Sequence, residues 1–201
     1  MISLLTQVCR ALLFFSLLFS SPAIAKSPLS KALETAQDQQ FNFEETKAVA
    51  TLRSALSDLN RSSPDLESLS RLADSYLFLA FCLKNLGETE QMNQALDEAA
   101  RLNPTLNPSD MLFPPSLITL FEAAKDRIWE QKRFATLLLE TKPEGARIFV
   151  NGAFKGNSPL RLDRYPAGVH YIYALQEEKK AYKKIVLKEG LPQKIRLKLK
   201  K

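Results

Sequence analysis

The chain has 201 residues, 45% hydrophobic and 25% charged, with a net charge of +6. That ordinary globular composition, at a length for one domain or two small ones, argues against both wholesale disorder and a membrane-spanning bundle. One histidine, His170, and two cysteines, Cys9 and Cys82, are too few for a multi-ligand zinc site or a disulfide framework.

The N-terminal 25 residues read as an export signal. Arg10 precedes an apolar run from Ala11 to Phe19, and Ala23-Ile24-Ala25 supplies an A-x-A cleavage site before Lys26. A spanning helix needs about 20 consecutive apolar residues, and Arg10, Ser16, Ser20, Ser21 and Pro22 leave fewer; an uncleaved N-terminal anchor is the alternative. Cleavage would leave residues 26–201 with Cys82 as the one thiol. Its neighbours Phe78, Leu79, Phe81 and Leu83 favour a small buried hydrophobe over a reactive group.

Beyond the signal, charge divides the chain. Residues 26–134 carry 12 basic and 16 acidic side chains, net −4, and residues 135–201 carry 15 and 6, net +9. The hydrophobic period changes from 3.6 to 2 at the same place. The expectation is a two-domain α+β protein, helical over 26–134 and all-β over 135–201, with the boundary between Arg133 and Thr136.

A short first helix spans Pro28 to Gln40. Ala48, Val49, Leu52, Ala55, Leu56 and Leu59 share one face of a second, and Ser62-Ser63-Pro64-Asp65 stops it and opens a third, with Ser63 as cap. Leu69, Leu72, Ala73, Tyr76, Ala80 and Leu83 form the stripe of that helix, which Gly87 ends. Met92, Ala95, Leu96 and Ala99 mark the next, ending near Asn103-Pro104. After a proline-rich connection, Leu117, Leu120, Phe121, Ala124 and Ile128 define a last helix carrying Trp129.

The helices on either side of Gly87 resemble a tetratricopeptide repeat: Tyr76, Leu79-Ala80, Leu83, Gly87, Met92, Leu96 and Pro104 fall at its marked positions, although Met92 stands where a small residue is usual. No second copy occurs at the repeat's period of about 34 residues. The resemblance implies that Asp74, Leu77, Phe81, Lys84 and Asn85 face a groove for a partner peptide; the alternative is that Leu77 and Phe81 pack against helix 44–59 or 116–132 as core.

In the C-terminal third, residues 136–141, 147–150, 169–176, 182–187 and 194–199 read as strands within a set of six or seven forming a small sandwich or barrel-like sheet, and Asn151-Gly152 is a hairpin turn. Pro143-Glu144-Gly145-Ala146 begins a register continuing through Ile148-Phe149-Val150-Asn151-Gly152, Gly156, Ser158-Pro159-Leu160, Gly168-Val169-His170-Tyr171 and Ala181-Tyr182. This register resembles the PEGA domain, with Ala181 standing where the family commonly has Gly. The resemblance implies a secreted or surface-associated module without enzymatic activity. Pro143, Glu144, Gly145 and Ala146 are read as fold-specifying, because Gly145 can enter the left-handed region that a turn requires.

No nucleophile, phosphate-loop or dinucleotide motif occurs, His170 has no acidic or second histidine neighbour, and the paired carboxylates are adjacent in sequence and so diverge. No catalytic set, cofactor or metal site is expected. Lys194, Arg196, Lys198 and Lys200 alternate with Ile195, Leu197 and Leu199, placing four cations on one strand face, with Lys179, Lys180, Lys183 and Lys184 nearby. Such a stripe either docks on an anionic envelope surface or blunts a solvated edge. Nucleic acid is not an expected partner of an exported chain. The functional expectation is an exported or periplasmic cell-envelope scaffold, its helical half binding a protein and its basic half an envelope surface. The alternative is a peptidoglycan- or acidic-glycan-binding module, in which Phe149, Phe154, Tyr165, Tyr171, Tyr173 and Tyr182 include sugar-stacking rings.

Overall fold

The computed structural model describes residues 26–61, 63–190 and 192–201. The export signal and Cys9 lie outside the described residues. The helices are α1 (Pro28–Phe41), α2 (Glu45–Arg61), α3 (Leu66–Ser70), α4 (Leu72–Asn85), α5 (Thr89–Leu102) and α6 (Pro115–Glu130).

Local chemistry sets their ends. Ser27 caps α1 by accepting from the Ser30 amide at 3.2 Å, with Pro28 in the first turn. Gly87, at φ +76°, lets the chain turn from α4 into α5 while the Glu88 amide donates to the Leu83 carbonyl, a Schellman closure. The third helix differs from its expected form in two respects. Its cap is Asp65, whose carboxylate accepts from the Ser68 amide at 2.7 Å, and not Ser63. It is also interrupted at Arg71, giving α3 and α4, beside a close backbone contact with the β half.

Seven strands follow: β1 (Phe134–Lys142), β2 (Arg147–Val150), β3 (Ala153–Asn157), β4 (Leu160–Pro166), β5 (Gly168–Gln176), β6 (Lys179–Leu187) and β7 (Gln193–Lys198). They form a three-stranded sheet, β4-β1-β7, and a four-stranded sheet, β3-β2-β5-β6. β1 runs antiparallel to β4 and parallel to β7. Leu137, Leu139 and Leu197 of the first sheet pack against Ile148, Val150, Ile172 and Ile185 of the second. Ala181, which stands where the family commonly has Gly, lies inside β6 opposite Ala174, where no positive φ is needed.

The four-stranded sheet is covered on its other face as well. Phe149, Tyr171 and Tyr173 point away from the sandwich and share one apolar cluster with Leu69, Leu72, Ala99 and Leu102 of the helices. The molecule is therefore three layers, helices on sheet on sheet, and five consecutive β5 residues, His170 to Ala174, are all buried.

Candidate functional site

The residues expected to line a groove do not present one open surface. Leu77 is 1% exposed and Phe81 half-buried. The connection between α5 and α6 covers this face: Phe113 meets Phe81 edge-on at 5.9 Å between ring centres and Phe78 at 6.2 Å. What remains is a cavity of about 240 Å³ among Leu33, Leu77, Leu106, Leu112 and Phe113. At its rim, burial lifts the Asp74 carboxyl above the ordinary range, opposed by Arg71 at 3.7 Å. Lys84 is partly exposed and Asn85 exposed.

The Pro143-Glu144-Gly145-Ala146 turn is held by its surroundings. Gly145 adopts φ +84°, its amide donates to the Ser158 carbonyl at 3.0 Å, and the Ser158 amide returns a bond to Ala146 at 2.9 Å. Thr141 Oγ1 donates to the Pro143 carbonyl and Gln176 Nε2 to the Glu144 carbonyl. Every polar contact of the turn named here is to its own domain.

A seam between the layers has no counterpart in the sequence expectations. The Asn151-Gly152 turn joining β2 to β3 is driven into the helical layer. Asn151 Nδ2 donates to the Leu102 carbonyl at the end of α5 (2.9 Å) and to His170 Nδ1 (3.0 Å), while its Oδ1 accepts from the Tyr171 amide (3.0 Å). A Cβ on Gly152 would lie 2.3 Å from the Ser70 amide nitrogen, next to the break at Arg71. Arg101, buried in α5, donates to the Val169 carbonyl and pairs with Glu98. A hairpin dipeptide announces a turn, but nothing in its spacing says that the turn will be buried.

His170 is fully buried. Its Nε2 donates to the Pro166 carbonyl at 2.8 Å, which leaves Nδ1 as the acceptor for Asn151. Burial above all, then the charge of Arg101, pushes its pKa down to about 3 against the Pro166 hydrogen bond, so the ring is neutral. Both nitrogens are engaged, and the residue is structural.

The cationic stripe is uneven. Lys194, Arg196 and Lys198 face outward from β7, but Glu140 on β1 binds Lys194 at 2.5 Å and Arg196 at 3.1 Å. Those two hydrogen bonds, Lys194's first, hold the Glu140 carboxyl below its ordinary range. One end of the stripe is thus neutralised in part, and the other is not. Lys198, Lys200 and Lys201 join Lys180, Tyr173, Tyr182 and Ser63-Pro64-Asp65 around a cleft of about 600 Å³ where the β half meets the loop before α3. Sequence reasoning placed Lys198 and Lys200 on one face and counted Tyr173 and Tyr182 among the candidate sugar-stacking rings; it did not find the loop that gives the face a wall.

No helix among the described residues is long and apolar enough to cross a membrane. No curated protein matches the chain. A family model described as the PEGA domain, a non-catalytic module usual in extracellular or periplasmic proteins, matches residues 134–201, which cover all seven strands. The C-terminal third of this chain is a PEGA domain.

Proposed function

We propose that this is an exported, non-catalytic cell-envelope scaffold, directed out of the cytoplasm by residues 1–25, whose basic PEGA domain docks on an anionic envelope surface while the helical layer receives a protein partner. The observation that carries the reading is the PEGA domain with its unneutralised basic end. Firm docking of the helices on the PEGA sheet, through Asn151 and Arg101, supports a scaffold in which both halves are presented in a fixed relation. On the helical side, the partner surface is the rim at Asp74, Lys84 and Asn85 together with the covering connection, whose Met111 is 92% exposed and whose Leu112 is also in solvent.

The test is co-sedimentation of the purified protein with isolated envelope fragments, intact and protein-stripped, over a salt series. Retention on stripped fragments that falls as salt rises supports surface docking; no retention on either preparation at low salt overturns it. Met111→Glu combined with Leu112→Glu should reduce retention on the intact fragments alone.

A further inference from the structure

We propose that the cleft between the PEGA domain and the Ser63-Asp65 loop is the binding site for a carboxylate-bearing glycan chain, with Lys180, Lys198, Lys200 and Lys201 meeting the anionic groups and the half-buried Tyr182 a sugar ring. This deepens the docking reading above and rests on it.

The first support is charge left unpaired. Lys180 and Lys200 are bridged antiparallel, each amide donating to the other's carbonyl at 2.8 and 3.0 Å. Like charges directly opposite in such a pair destabilise it. Among the described residues neither makes an ion pair, and the same holds for Lys198 and Lys201. Elsewhere on the strand the protein supplies a counter-ion of its own, Glu140 for Lys194 and Arg196. The one acid in the cleft, Asp65, has an oxygen committed to capping α3. Four ammonium groups around one concavity therefore face a single side-chain carboxylate, Asp65, and the excess positive charge is left for an anion from outside the protein.

The second support is the shape and chemistry of the wall. Tyr182, half-buried and opposite Tyr173 on the β5–β6 ladder, stacks its ring beside that of Tyr171 (6.5 Å between ring centres) and lines the cleft, whereas Tyr173 is buried beneath the helices and only borders it. The Tyr182 ring presents an apolar face beside a polar hydroxyl, which suits a sugar ring with its apolar and hydroxyl-bearing sides. The cleft has a wall on each side, the Ser63-Asp65 loop and the Lys198-Lys201 segment. A concave, two-walled site admits a chain, whereas a bilayer surface needs a flat or protruding cationic face.

The experiment measures binding of the purified full protein to oligogalacturonate, to a neutral malto-oligosaccharide of equal length and to phosphatidylglycerol vesicles. Oligogalacturonate alone should bind, and Lys198→Ser with Lys200→Ser should weaken it by about tenfold or more. Tyr182→Leu should weaken it without lowering the dependence on salt. The control pair Lys183→Ser with Lys188→Ser removes equal charge elsewhere and should change affinity by less than about twofold. Equal loss in both pairs overturns the cleft while leaving surface docking intact, since binding is then diffuse. Binding to vesicles with none to oligogalacturonate overturns the glycan in favour of a lipid surface. If envelope fragments are not retained either, the docking reading fails with it.

Discussion

The Nδ2 amide of Asn151 lies 3.0 Å from Nδ1 of His170, and the same nitrogen reaches the Leu102 carbonyl at 2.9 Å. One side chain thus fixes the histidine's tautomer and ties the PEGA domain to the end of α5. Neither partner is exposed, so the link is shielded from competing water.

The histidine makes stability depend on pH. In the unfolded chain it takes up a proton near its ordinary value of 6.5, whereas the folded ring resists protonation until about 3. Between those values the unfolded state binds the extra proton, so stability falls as pH drops, by up to about 1.4 kcal/mol per unit from this group. Above 6.5 the group contributes no slope. Urea midpoints at neutral and acidic pH should show the decline, and His170→Gln should be less stable at neutral pH yet flatter below it. An unchanged acid slope in the variant would place the dependence on other groups.

Asn151→Ala leaves the Leu102 carbonyl, His170 Nδ1 and the Tyr171 amide without their partner, and should cost roughly 2–4 kcal/mol. Gly152→Ala should cost about 1–3 kcal/mol or more, because its Cβ would sit 2.3 Å from backbone and its φ of +82° disfavours a side chain. Chemical denaturation of both variants checks the values, and hydrogen exchange should show α3 and the start of α4 opening first in the glycine variant. Near-neutral substitutions would mean that the layers separate easily.

Phe113→Ala removes the ring that covers Phe78 and Phe81, and should cost about 3 kcal/mol while raising the binding of an apolar dye to the native state. A fall in stability without added dye binding would mean that the connection collapses onto α4 instead of exposing it.

Glu140→Gln frees Lys194 and Arg196 from their shared carboxylate. Exposed pairs of this kind hold little folding stability, so the thermal midpoint should hardly move while elution from a cation exchanger shifts to higher salt. A large loss of thermal stability would show the three-residue cluster to be structural.

Much of this architecture is legible in the sequence where burial imposes a period. The stripes Leu52-Leu56-Leu59 and Leu117-Phe121-Ala124, the turn at Gly87, and the inward Ile195, Leu197 and Leu199 all lie where spacing places them. β3 escaped because none of its residues is buried, and β4 because a bulge disrupts its alternation opposite Ala135 to Leu137. The groove face of α4 illustrates a different limit. Leu77 and Phe81 advertise an apolar surface, but a helix cannot say which segment will cover it, and here an irregular connection does so through Phe113. The basic stripe shows the same limit for charge: alternation fixed the face of Lys194 and Arg196, while their neutralisation depends on the parallel register of β1 with β7, a non-local pairing.

The outward row of Phe149, Tyr171 and Tyr173 bears on how the protein can be dissected. A cut near residue 134 follows the change in charge and periodicity, yet it strips the cover from this aromatic row and leaves Asn151 facing solvent. A fragment made that way would carry a fresh apolar face and be prone to self-association, so its sticking to a surface would say little about the parent molecule. Substitutions within the whole chain are the cleaner instrument, and the two halves should melt as one cooperative unit.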